Sequence, residues 1–240
     1  MEKSPFAIGR NSSQLKQKVK SVIEILENAF GVPCRQPVNE PLDILISTIL
    51  SQNTTDANSD RAYQSLRRSF PTWEDALAGD PAEIAAAIRV GGLAEQKATR
   101  IKAILGWIKE NYGQMSLKSI CDMDTEEAIS VFCRLKGIGL KTISVVLCFA
   151  CGRDVFPVDT HILRISVRLG IVPEGSSALK AHSIINQLVP PGKAYSFHLN
   201  LLRLGRTICR ARNPRCQVCP VQQYCISSYR TGFTPRFEGG

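Results

Sequence analysis

The spacing of apolar residues constrains this chain more than any other feature. Residues 15–30, LKQKVKSVIEILENAF, set Leu15, Val19, Val22, Ile23, Leu26 and Phe30 on one stripe at helical intervals. The same period returns in 42–50, in 56–69 and from about Glu95 to Asn111. Alternation of period two is almost absent, and no Asn-Gly type of hairpin signal joins extended runs. The helix starts are written chemically: Asp80-Pro81-Ala82-Glu83 combines an N-cap, Pro at N1 and a capping-box Glu, and Asp124 to Glu127 repeats the box. These signals predict an all-α protein of about ten helices, with no internal repeat. A chain of 240 residues can bury a real core as one large or two small domains.

Two of the helices meet at Leu135-Lys136-Gly137-Ile138-Gly139-Leu140-Lys141. Gly137 and Gly139 permit a tight turn at positive φ, with amides left outward beside the first turn of the next helix. Open amides and the positive end of a helix dipole together suit a phosphate. Lys141 stands in that first turn, where a cation is disfavoured by ~0.3–1 kcal/mol. A lysine acting as a neutral nucleophile gains from such repulsion, but bringing its pKa from about 10.4 to near 7.5 takes ~4 kcal/mol. Desolvation and a proton acceptor must supply the rest. Asp159, in Phe156-Pro157-Val158-Asp159-Thr160-His161, is the candidate acceptor and also the N-cap of the following helix.

Four cysteines close the reading. Cys209, Cys216, Cys219 and Cys225 have the spacing C-x6-C-x2-C-x5-C. That density marks a metal or cluster site, and the asymmetric spacing favours iron–sulfur over zinc. Arg210, Arg212 and Arg215 lie in the loop between the first two ligands, which can present fixed charge to phosphates. The remaining cysteines, Cys34, Cys121, Cys133, Cys148 and Cys151, read as buried core thiols in a reducing compartment. Charge follows the same geography. No acidic residue occurs between Glu174 and Glu238, whereas Lys180, Lys193, Arg203, Arg206, Arg210, Arg212, Arg215, Arg230 and Arg236 do, and these account for the whole net charge of +9. That is the footprint of a polyanion binder.

LKGIGLKT, then VDTHI, then the cysteine spacing, in that order, resemble endonuclease III, the iron–sulfur branch of the helix-hairpin-helix DNA glycosylases. The resemblance covers about residues 15–228. It implies a six-helix barrel over 34–153 and a second domain, 1–33 with 154–240, built around a [4Fe-4S] cluster held by the four cysteines. It places Lys141 at the family's nucleophile and Asp159 at its essential aspartate. Gly137, Ile138, Gly139 and Leu140 would grip the DNA backbone, and Leu93 would wedge into the duplex. Gln52 and Asn53 would border the lesion, and the Arg-rich loop would contact phosphates. The implied activity is a bifunctional glycosylase and abasic-site lyase, acting as a monomer on double-stranded DNA with a damaged base or abasic site.

Departures from the pattern bear on the substrate. Asn53 occupies the family's lesion-side Gln position, with Gln52 before it, and the small Ala94 follows the wedge. Oxidised pyrimidine is the expected lesion. The alternatives are a mismatched or methylated base, as in the plant 5-methylcytosine glycosylases, or a non-catalytic damage-binding protein. The N-terminal string MEKSPFAIGRNSSQ has no apolar stretch of the secretory kind, and no run approaches a membrane span. A cytoplasmic location, nucleoid-associated in a prokaryote, with no membrane partner, is the expectation.

Overall fold

The computed structural model describes residues 12–36 and 40–227. The N-terminal string before Ser12, and Arg230 and Arg236, lie outside the described residues. Within them the chain forms eleven α-helices and four short 3-10 turns, and no strand. It divides into two compact units, one from the described parts of Met1–Arg35 and Asp154–Gly240, the other from those of Gln36–Arg153.

The second unit holds α2 (Pro41–Leu50), α3 (Asp56–Ser69), α4 (Trp73–Ala78), α5 (Pro81–Ala87), α6 (Ala94–Tyr112), α7 (Thr125–Phe132) and α8 (Leu140–Phe149). Seven helices thus occupy a region where six were expected. Two closed capping boxes, Thr72 with Asp75 and Asp80 with Glu83, open two separate short helices. The core lies between α2 and α8, with Leu42, Leu45, Ile46 and Ile49 of the one and Ile143, Val146 and Leu147 of the other fully buried. Each such side chain contributes ~1.5–3 kcal/mol. Glu40 caps α2 through the Leu42 amide, and its carboxylate also accepts from the Leu117 amide at 2.7 Å and the Ser116 hydroxyl at 2.7 Å. One carboxylate therefore fixes where α2 begins and where a distant loop returns.

The first unit packs α1 (Ser12–Phe30) on α10 (Ala178–Leu188) and α11 (Ala194–Thr207), and α9 (Thr160–Arg168) on α11. The stripe read from the sequence faces inward: Val19, Val22, Ile23 and Leu26 are buried. Gly205 is where α9 and α11 come closest, since a Cβ there would meet His161 Cβ at 3.0 Å.

The cysteines depart from expectation. Cys148 is buried, but Cys34 and Cys133 are exposed, and Cys121 and Cys151 are joined in a disulfide rather than kept as core thiols. Cys121 ends a 3-10 turn and Cys151 follows α8, so neither sits on a helix stripe facing the core. Arg153 draws the two segments together, its guanidinium donating to the carbonyls of Cys121 and Met123 and to the Thr125 hydroxyl. No helix among the described residues is long and apolar enough to cross a membrane.

Candidate functional site

The glycine turn between α7 and α8 has the hairpin geometry, with one correction. Gly137 takes φ of +96°, but Gly139 sits at φ −101° and ψ 174°, ordinary extended backbone that caps α8. One glycine, not two, is there for its left-handed conformation. Ile138 is buried and its amide donates to Leu135 O at 3.0 Å, so that residue anchors the turn from inside. The amides of Gly137, Gly139 and Leu140 donate to no acceptor among the described residues. Three open donors at the positive end of α8 are an arrangement that suits an anion. Lys141 is the second residue of that helix and half-buried.

Leu93 immediately precedes α6. It is 47% exposed and adopts left-handed φ 51° and ψ 39°, an uncommon conformation for a branched apolar side chain. An exposed leucine held in a strained turn fits a wedge. Beneath it lies a residue the sequence reading missed. Lys97 is 2% exposed, and its Nζ donates to Leu50 O at 2.8 Å and to Gly91 O at 2.9 Å, while its own amide donates to Leu93 O. Burial, then repulsion from Arg100, lowers its pKa. A lysine on an amphipathic helix ordinarily reads as solvent-facing; its interruption of the apolar run Ala94, Ala98, Ile101 was the one available signal.

Leu50 ends α2, and the polar string follows it. Gln52 is half-buried and Asn53 exposed at φ +54°. Arg100 Nη1 donates to Gln52 Oε1 at 2.6 Å, and Gln52 Nε2 to Gly137 O at 3.4 Å. The structure therefore brings Gln52, Arg100 and the hairpin into one contact group, and Leu93, Gly91, Lys97 and Leu50 into another, both built on α6.

In the first unit, Asp159 caps α9 through Oδ1, which accepts from the Ile162 amide at 2.8 Å. Its Oδ2 accepts no hydrogen bond among the described residues. His161 is a structural neighbour, its ring nitrogen 3.1 Å from Arg164.

Cys209, Cys216, Cys219 and Cys225 line a single cavity of about 150 Å³. Two 3-10 turns, Cys216–Val218 and Gln222–Tyr224, space the last three. No three His, Cys, Asp or Glu side chains among the described residues are grouped to hold one metal ion. Four thiols around one cavity offer one ligand to each of several irons, the arrangement a cluster takes. The donor set agrees: burial, and then the neighbouring cysteines, push Cys219 up to about 11, a cost that a cationic core in the cavity reverses. Arg168 Nη1 donates to Cys209 Sγ at 3.2 Å, a contact that stabilises a thiolate ligand. These residues fit an iron–sulfur cluster.

The Arg-rich loop is held by more than its cysteines. Arg168 also donates to Arg210 O at 2.8 Å and Ala211 O at 3.2 Å, and Arg164 donates to Cys209 O and Gly205 O. The loop therefore has support from α9 as well as from its flanking cysteines. Arg210, Arg212 and Arg215 are exposed.

Comparison with known proteins agrees with this geometry. Residues 46–191 match the HhH-GPD superfamily base excision DNA repair proteins, and residues 209–225 match the iron–sulfur binding domain of endonuclease III. A putative DNA glycosylase of Arabidopsis thaliana is 40% identical over 70% of this chain, which spans 57% of the plant protein's length. Endonuclease III of Thermotoga maritima is 30% identical over 83% of this chain and 89% of its own. Among solved structures, a non-covalent endonuclease III–DNA complex superposes with a TM-score of 0.79 at 27% identity, covering 90% of this chain and 98% of the other. The matched domain and fold define a base excision repair protein built on a helix-hairpin-helix. The chain belongs to the HhH-GPD superfamily, among its endonuclease III-like members that carry a [4Fe-4S] cluster.

Proposed function

We propose that this protein is a bifunctional DNA glycosylase and abasic-site lyase, that Lys141 is its nucleophile and Asp159 its acid–base partner. The observation that carries the reading is the head of α8, where open amides at Gly137, Gly139 and Leu140 stand beside Lys141. A phosphate held there brings the neighbouring sugar to the lysine. A base within a duplex is unreachable, so the nucleotide is extruded, with Leu93 filling its place in the stack. Asp159, its Oδ1 fixed by the cap, keeps Oδ2 for proton removal from Lys141 and for the positive charge that develops on the sugar. Lys141 attacks C1′, the base leaves, and an imine forms. β-Elimination then cuts the strand 3′ to the lesion.

The substrate of this reading is double-stranded DNA bearing an oxidised pyrimidine or an abasic site, bound by a monomer. The relatives named endonuclease III support it. The four cysteines hold the cluster, whose part is to brace the Arg-rich loop. Borohydride should trap a covalent protein–DNA adduct with the wild type and none with Lys141→Ala. Equal trapping by the alanine variant would remove Lys141 from the chemistry. A panel of lesion duplexes, scored for base release separately from strand scission, identifies the base.

A further inference from the structure

The turn at Gly137 carries a cation that the hairpin motif itself does not contain. A Cβ placed on Gly137 would lie 1.9 Å from Arg100 Nε, 2.0 Å from Cδ and 2.5 Å from Cζ. The guanidinium thus lies directly against the turn, and the missing side chain at Gly137 makes room for it. Arg100 is half-buried on α6, 37 positions away in sequence. Its hydrogen-bond partner is Gln52 Oε1 at 2.6 Å, a neutral amide that leaves the positive charge whole. The other end of that amide donates to Gly137 O at 3.4 Å.

A guanidinium carries five N–H donors in a rigid fork, of which Gln52 takes one. The guanidinium lies against Gly137, and the amides of the turn it covers, at Gly137, Gly139 and Leu140, likewise have no acceptor among the described residues. A half-buried guanidinium with donors left over, beside a turn with open amides, is completed by an anion of several oxygens. We propose that Arg100 is a phosphate-binding residue of the hairpin, and that Gln52 is a positioning residue that aims it. This rests on the reading of duplex DNA as substrate. It also changes the part of Gln52: both ends of its side-chain amide are engaged inside the protein, and Asn53, exposed at φ +54°, is the member of the pair that faces outward to DNA.

The test uses the cluster-containing protein and a duplex with a non-cleavable abasic analogue, with affinity measured across a series of salt concentrations. Arg100→Ala should bind several-fold more weakly and flatten the plot of log K against log salt by about 1. Arg100→Lys should restore the slope but only part of the affinity, because an ammonium lacks the fork. Gln52→Ala keeps every charge; it should weaken binding by itself and add nothing to Arg100→Ala. An unchanged slope in Arg100→Ala would make the residue a structural clamp and overturn the proposal. So would a Gln52→Ala effect that persists in full in the double variant, which would place Gln52 on the DNA. If Arg100→Ala does not fold, Gln52→Ala decides: wild-type affinity overturns the proposal, and weaker binding with a flatter slope supports it. A wild type that does not prefer the abasic duplex to an intact one defeats the functional reading itself, a distinct result.

Discussion

Replacing Lys97 by methionine tests whether a buried cation sets the geometry of the turns after Leu50 and before Leu93. Met fills nearly the same volume, so the change removes two hydrogen bonds and a charge with little cavity. Two buried carbonyls, Leu50 O and Gly91 O, then lose their donor. Each such loss costs ~1–3 kcal/mol, giving ~2–6 kcal/mol. Against this, the protein no longer strips an ammonium group of water, a burden visible in the direction in which burial moves its pKa. A net loss of ~2–3 kcal/mol is the expected balance, a fall in Tm of about 4–12 °C for a chain of this size. Thermal unfolding followed by far-UV circular dichroism measures it. Function should suffer beyond stability. Gly91 O and Leu93 O both hang from Lys97, one from Nζ and one from the amide. At 25 °C, where the variant stays folded, base release from a duplex should slow at least tenfold, while cleavage of a single-stranded abasic oligonucleotide, which needs no wedge, should change little. A variant melting within about 1 °C of wild type would show that the cation is a net burden, as buried ions often are, and would refute the assignment.

Two further outcomes follow from single residues. Leu93→Ala should cut base release from duplex DNA by tenfold or more with Tm almost unmoved, because the side chain is exposed; equal rates would take the wedge away. His182 is held neutral by burial, its pKa lowered to about 4, with Asn186 Nδ2 donating to its Nδ1 at 3.1 Å. The unfolded chain takes up the proton below about 6.5 while the folded one resists it, so stability falls as pH drops from 6.5 towards 4. His182→Gln should lose less Tm over that interval than wild type, and parallel curves would exclude the residue.

What the sequence made legible was local. The helix stripes, the caps at Asp80 and Asp159, the glycine turn and the cysteine spacing each lie within about 20 residues, where period and side-chain chemistry speak directly. What it hid was long-range. Gln52 meets Arg100 across 48 positions, Lys97 meets Leu50 across 47, and Arg168 meets Cys209 across 41. Lys97 alone leaves a local trace, by interrupting the apolar stripe of its helix, and even that does not name its partner; the other two pairs break no local rule. The disulfide escaped for the same reason. Cys121 and Cys151 both read as core thiols, yet they pair across 30 residues because a loop held by Arg153 returns there.

The charge count is sharpened in the same way. Of the nine basic residues that carry the excess, at least two have partners within the protein. Lys193 pairs with Glu27 at 2.8 Å, and Arg203 donates to Phe30 O and stacks on its ring at 4.7 Å. Arg164 and Arg168, just upstream, spend their donors on the backbone of the Arg-rich loop. Net charge therefore overstates the footprint, and the loop between Cys209 and Cys216 presents three exposed arginines, Arg210, Arg212 and Arg215. Each phosphate they neutralise adds about 0.9 to the salt slope, so replacing all three with alanine should lower it by up to about 2.7. The wild-type slope should exceed that figure by the share of the hairpin. A triple variant with the wild-type slope would place the DNA elsewhere, and the acid-free stretch would be a solvated surface.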